Sequence, residues 1–295
     1  MIDLQALAAL QAVDTHGTVV AAAEATGFTP SAVSQQVKRL ERQTGVPLLE
    51  RVGRGVMLTG HGRHLVDAGT RVLRDLEEVE AELHRRGDHV VGHLRLAAFS
   101  TAMRGLVAPV VRDLLTAHPG LTISLTEREP WDTVGLVADG RLEVGLVHTW
   151  GDVALDLPDH LVRTSVAADV ADVIVPIDHP LAARDSLTPH DLAGEGWIAT
   201  PEGTICRQWL NRMYDGTGAR PRIAHESMEY ASHLAMVQAV LGVALVPRLG
   251  RGALGGELRA VPVHDPVPTR DVVAVHRRTM AGSPAVQALV SALSS

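Results

Sequence analysis

A single cysteine, Cys206, in a chain of 295 residues excludes an intramolecular disulfide and any cysteine-built zinc cluster. Aromatic residues are scarce, with two Phe, two Tyr and four Trp, and every Trp lies in the body beyond the N-terminal part. No apolar run approaches the length of about 20 residues that a helix needs to cross a bilayer. The opening MIDLQALAALQAVDTHG lacks both a basic leader and a small-residue cleavage site. A soluble, cytoplasmic protein is therefore expected, with no membrane partner. Excess positive charge is missing as well, since a net charge of −7 argues against a chain that coats nucleic acid along its whole length. Fifteen histidines invite a search for metal ligands, yet there is no HExxH and no dense Asp/His cluster. His61 and His64 have helical spacing but no evident third ligand. GxSxG elbows, phosphate-binding glycine loops and paired carboxylates are also absent, so neither catalysis, nor a metal, nor a cofactor is expected.

What the chain does have is an uneven charge. Between Gly27 and Arg63 six bases face two acids, a local charge of +4 that leaves about −11 for the remainder. That basic segment contains the stretch from Thr18 to Arg42, which reads as two short helices joined by a tight turn. Gly27 supplies the turn, Thr29 a hydroxyl cap, and Pro30 the first helical position, where its missing N–H costs nothing. Val33, Val37 and Leu40 form an apolar stripe, which leaves Ser31, Ser34, Gln35, Lys38 and Arg42 on or near the opposite face. Such a face suits base edges and phosphates; the alternative is an amphipathic helix pair with a solvated face.

Pro47 and the glycines at 53, 55 and 60 then bracket a short hairpin carrying Arg51 and Arg54. From His61 to about Arg86 there is no proline, and Leu65, Val72, Leu76, Val79 and Leu83 recur at close to 3.5-residue spacing, interrupted by Gly69. This predicts a long helix that either pairs with its copy in a second subunit or packs on its own body. Residues 87–92 read as a hinge. Beyond them, strands alternate with helices, with separate strands near Leu161–Ala167 and Asp172–Pro176, which predicts mainly parallel sheets in two α/β units.

The residues AVDTHGTVVAAAEATGFTPSAVSQQVKRLERQTGVPLLERVGRGVMLTGHG follow, with few changes, the DNA-binding signature of the LysR-type transcriptional regulators. Weaker likenesses follow in family order: AAFST, HPGLTISL, DGRLEVGLV, HPLA and AVLGVALVPR. Val19, Thr26 and Leu49 depart from the family pattern, all as core-type exchanges. The resemblance implies an α/β chain overall: an all-α winged helix-turn-helix over residues 1–60, a linker and dimerisation helix over 61–88, and two periplasmic-binding-protein-like α/β subdomains over 89–295. It implies a sequence-specific regulator controlled by a small-molecule effector held between those subdomains. Thr29, Pro30, Ser31, Ser34, Gln35 and Lys38 would enter or border the major groove, and Arg51 and Arg54 would touch backbone or minor groove. A homodimer or tetramer on a roughly palindromic operator is expected.

For the cleft, Ser100 and Thr101 open a helix after the first body strand, an arrangement that favours an anion; capping is the alternative for Ser100. Thr200, Pro201, Glu202, Gly203 and Thr204 match the family's second cleft-lining loop, although an inward Glu202 would oppose an anion. His148, Thr149 and Trp150 end one strand and Trp131 follows another. The two tryptophans either stack on an effector or fill the core; Trp197 and Trp209 read as packing residues. A free-standing solute-binding protein is the remaining rival, disfavoured by the basic N-terminal head.

Overall fold

The computed structural model describes residues 2–52, 55–87, 90–153 and 155–295, with backbone alone for Ala25, Leu73, Arg74, Glu77, Glu78 and residues 80–87. Arg54 of the hairpin and the Leu83 side chain of the linker therefore lie outside the described residues. The chain divides into two compact units, Met1–Glu80 and Ala81–Ser295.

In the first unit, helices α1 (Leu4–His16), α2 (Val19–Thr26) and α3 (Pro30–Thr44) each begin at a side-chain cap. The Asp3 carboxylate accepts from Gln5 N at 2.9 Å, Thr18 Oγ1 from Ala21 N at 3.1 Å and Thr29 Oγ1 from Ala32 N at 3.2 Å. The helices end at Gly17, Gly27 and Gly45, all left-handed with φ between 68° and 73°. That conformation is open to glycine at no steric cost and turns the chain sharply. Leu10, Val13, Ala22, Ala23, Val33, Val37 and Leu40 fill the core together with Leu48, just before the hairpin, and Leu58 of the hairpin. The hairpin consists of antiparallel strands β1 (Leu49–Val52) and β2 (Gly55–Leu58). It is tied to α3 by the Glu41 carboxylate, which accepts from Leu48 N at 2.9 Å.

Helix α4 (Gly60–Gly87) follows. Gly69, which interrupts the apolar seam in sequence, is the point where α1 presses closest, since a Cβ there would collide with the Leu7 side chain. Beyond that contact Val72, Leu76 and Val79 are exposed. No helix among the described residues is long and apolar enough to cross a membrane.

The second unit is built on one nine-stranded sheet. Strands β3 (Gly92–Ala98), β4 (Leu121–Glu127) and β5 (Val144–Trp150) pair in parallel in the first lobe. Strands β7 (Gly196–Ala199), β8 (Arg222–Glu226) and β9 (Val243–Pro247) do so in the second. The expectation of mainly parallel sheets needs correcting. β6 (Leu161–Pro176) is one continuous strand, not two, and pairs antiparallel with β9, with β10 (Leu258–Pro262) and with β11 (Thr269–Arg277), which in turn pairs antiparallel with β5. The chain crosses from lobe to lobe along β6 and returns along β11, and a strand that returns beside its predecessor must run against it. Helices α5 (Ser100–Ala102), a π-type turn at Met103–Val107, and α6 (Ala108–Ala117) form one helical run after β3. Helix α7 (Pro130–Ala138) follows β4, α8 (Ile205–Met213) follows β7, α9 (Tyr230–Gln238) follows β8, and α10 (Pro284–Leu293) closes the chain.

Candidate functional site

Two places carry chemistry, one in each unit. On the first unit, the caps and glycine turns leave one side of α3 free. Ser31, Gln35, Lys38, Arg39 and Arg42 are exposed along it, and Ser34 is half-buried. Thr29 is committed to its cap through Oγ1, and Pro30 occupies the first helical turn. Lys38 is the only lysine in the chain, a compact charge on a flexible stem that stands out among arginines. Arg51 is exposed on the hairpin. Arg39 is paired with Asp3 at 2.9 Å and Arg42 Nε donates to the Lys38 carbonyl at 3.3 Å, so among the exposed long polar side chains described on the helix Lys38 and Gln35 are free of protein partners. The hairpin and helix thus offer donors and positive charge on an otherwise acidic chain, the requirement for gripping phosphate and reading base edges.

On the second unit, a cleft opens where the carboxyl ends of β3, β4, β7 and β8 meet, the position at which open α/β sheets hold ligands. Phe99, Ser100 and Thr101 enter it after β3, Glu129 and Trp131 after β4, and His148 from β5. From the other lobe come Thr200, Thr204, Ile205, Cys206, Met228 and Tyr230, with Arg270 from β11 at the base. The enclosed space is about 20 Å³, room for about one water molecule. Anything larger enters by displacing side chains at the rim, where Trp131 and Met228 are exposed by 43% and 36%.

The base of the cleft is internally compensated. Arg270, only 2% exposed, donates from Nε to Asp169 at 2.9 Å and from Nη2 to Thr101 Oγ1 at 2.8 Å. Its guanidinium lies 5.1 Å from the Phe99 ring centre and 5.6 Å from that of Trp150. Thr200 and Thr204 hydroxyls lie 2.8 Å apart, and Thr204 also donates to the Pro201 carbonyl at 2.9 Å. Thr200 is then the donor of that pair and keeps acceptor capacity toward the cleft. His148 is 3% exposed, packs edge-on against Phe99, and has a buried Nδ1 without a hydrogen-bond partner. Burial, reinforced by Arg270, holds its imidazole well below the usual histidine range, so it is neutral.

Glu129 is the opposite case. Burial first, then the Glu229, Glu127 and Asp132 carboxylates, push its pKa up to about 7. Burial pushes the Cys206 thiol up, against a lowering contribution from the nearby Tyr230 hydroxyl. A thiol so placed is not a ready thiolate, and no second cysteine exists to trap it. Cys206 in the folded chain is expected to react with a disulfide reagent at least about tenfold more slowly than in urea. Equal rates in a thiol titration at neutral pH would contradict that assignment.

Of the cleft residues expected from sequence, Ser100, Thr101, Trp131, His148 and Thr200 come together in the cleft wall. Thr149, Trp150, Pro201 and Glu202 do not line it. Trp150 is 1% exposed and packs 5.5 Å from Trp209 in the second lobe's core, and Glu202 points to solvent. The lining residues that sequence reasoning missed are Phe99, Glu129, Ile205, Cys206, Met228, Tyr230 and Arg270. Among the described residues no group of His, Cys, Asp or Glu is placed to hold a metal ion.

Residues 4–63 match the family described as bacterial regulatory helix-turn-helix protein, lysR family, and residues 87–295 match the LysR substrate binding domain. The HTH-type transcriptional regulator CbbR of Xanthobacter flavus is 30% identical over 288 residues, covering 94% of this chain and 83% of that protein. The small neutral protease regulatory protein of Streptomyces coelicolor is 30% identical over 246 residues, covering 82% and 73%. Among solved structures, a full-length OxyR variant from Pseudomonas aeruginosa superposes with a TM-score of 0.77 at 21% identity, over 99% of this chain and 95% of that one. Full-length CbnR in complex with its target DNA does so with a TM-score of 0.63 at 20% identity, over 99% and 98%.

Proposed function

This chain belongs to the LysR family of DNA-binding transcriptional regulators, and we propose that it reads its operator with α3 and is switched by a small molecule in the cleft of its second unit. The observation that carries the first half is the free face of α3, where Ser31, Ser34 and Gln35 present hydrogen-bonding groups and Lys38 an unpaired charge. Thr29 and Pro30 set the start of that helix and border the groove. Arg51 grips phosphates or the minor groove from the hairpin, a role that the sequence extends to Arg54, which lies outside the described residues.

In this reading residues 1–60 are the winged helix-turn-helix, 61–88 the linker, and 89–295 the effector unit. The exposed row of Val72, Leu76 and Val79 supports pairing of the linker with its copy in a second subunit, a dimer that assembles further to a tetramer. The protein works in the cytoplasm, beside the DNA. Ser100, Thr101, Trp131, His148 and Thr200 contact the effector; Thr149, Trp150, Pro201 and Glu202 support the walls from behind or at the rim.

A two-fold symmetric reader requires a two-fold symmetric site. Selection of bound sequences from a random DNA pool is expected to enrich an inverted repeat whose halves are about one helical turn, roughly 34 Å, or a multiple of it apart. A pool that stays unenriched would set the proposal aside.

A further inference from the structure

The expectation raised by Ser100 and Thr101 is an anionic ligand, but the charges around the cleft oppose one. Arg270, the cation at its base, is already neutralised by Asp169 and engaged by Thr101. Glu129 lines the cleft and, among the described residues, forms no ion pair. Glu127 and Asp132 flank it on its own segment, and Glu229 faces it from the start of α9. A carboxylate ligand would enter against four carboxylates, and the one Arg or Lys among the described lining residues, Arg270, is already paired.

Two other polar groups of the wall have unused hydrogen-bonding capacity. His148 is neutral and its buried Nδ1 has no partner. Thr200 retains acceptor capacity because its proton goes to Thr204. Trp131, at the rim, and Tyr230, in the wall, add aromatic surface of the kind that attracts organic cations.

Resting on the reading of this cleft as the effector site, we propose that the effector is a small organic molecule bearing an ammonium group, paired with Glu129 and hydrogen-bonded to Thr200 and His148. The tight space favours a ligand of few atoms, and the exposed rim admits somewhat larger ones. Ionised Glu129 binds an ammonium, and protonated Glu129 does not. With its pKa at about 7, affinity rises roughly tenfold from pH 6 to pH 8, the change in the ionised fraction. The neighbours do not share that titration. Burial holds His148 neutral, Cys206 and Tyr230 are pushed upward by burial, and Arg270 is ion-paired with Asp169. His233, behind Glu229, is lowered by burial.

The test titrates the full chain with size-matched pairs, ethanolamine and glycolate, propylamine and propionate, benzylamine and benzoate, followed by thermal shift and tryptophan fluorescence. The expected result is binding by at least one amine and by no carboxylate, strengthening about tenfold from pH 6 to pH 8. The Glu129→Gln variant weakens it at least about tenfold and removes the pH dependence. Glu129→Gln removes an uncompensated charge and is expected to melt no lower than the parent, so loss of binding reports the site and not the fold. Binding by carboxylates alone, weakened by Thr101→Val and tightened by Glu129→Gln, overturns the ammonium assignment while leaving the cleft as the effector site. Binding indifferent to both variants, or no binding by any of the six, overturns both.

Discussion

Replacing Arg270 by alanine is expected to destabilise the second unit by about 3–5 kcal/mol, the cost of leaving one member of a buried ion pair uncompensated. The pair is dry, with Arg270 2% and Asp169 7% exposed. The carboxylate has other work, accepting from Val170 N at 2.8 Å and Leu249 N at 3.0 Å. Those two amides join the crossing strand β6 to the loop after β9, so an unpaired Asp169 would disturb both lobes. Thr101 would lose the donor that orients its hydroxyl, and Phe99 and Trp150 would lose the cation between them. Arg270→Lys keeps the charge but not the fork that serves Asp169 and Thr101 together, and is expected to fall between. Urea unfolding followed by tryptophan fluorescence reads the effect. A loss under about 1 kcal/mol for Arg270→Ala would mean the pair only breaks even with its desolvation.

Lys38→Ala is expected to weaken binding to every DNA sequence by about tenfold and to reduce the slope of log affinity against log salt by about one, the signature of a lost phosphate contact. Gln35→Ala is expected to do something different, costing about 1–3 kcal/mol on the preferred sequence and little on others, because a glutamine placed in the groove reads base edges. The contrast follows from their neighbours. Both side chains are exposed and free of protein partners on α3, while Arg39 and Arg42 on the same helix are engaged. Anisotropy titrations on a selected and a scrambled duplex, at several salt concentrations, separate the two effects. Identical losses on both duplexes for both variants would remove the division of labour between them.

The N-terminal unit was legible in sequence because its structure is local. Caps at Thr18 and Thr29, turns at Gly17 and Gly27, and an apolar stripe at helical spacing all lie within a few residues of what they determine. β6 was not legible for the opposite reason. The run Val166–Asp172 alternates small and acidic residues that read as a break. Its acids are instead buried acceptors, Asp169 for Arg270 and Asp172 for Arg248 and Arg251, whose partners come from 76 to 101 residues away. The cleft was half legible. Strand exits and helix starts pointed to Ser100, Thr101, Trp131, His148 and Thr200, but the charge of the site depends on Glu129, Glu229 and Arg270, which only the fold brings together. Arg270 left one signal, a cation next to Asp271 at the start of the strand that carries the apolar run VVAV. Trp150 shows the limit of strand-exit reasoning, since the same position serves a core or a ligand and burial alone decides.

The central claim is that α3 reads a two-fold symmetric operator, and its most direct test is sequence selection from a random DNA pool by the full chain, run in parallel with the Gln35→Ala variant. The parent is expected to enrich an inverted repeat, and the variant to lose preference at one position in each half, placed symmetrically about the dyad. Enrichment of the same motif by both proteins, or of a motif without dyad symmetry, would contradict it.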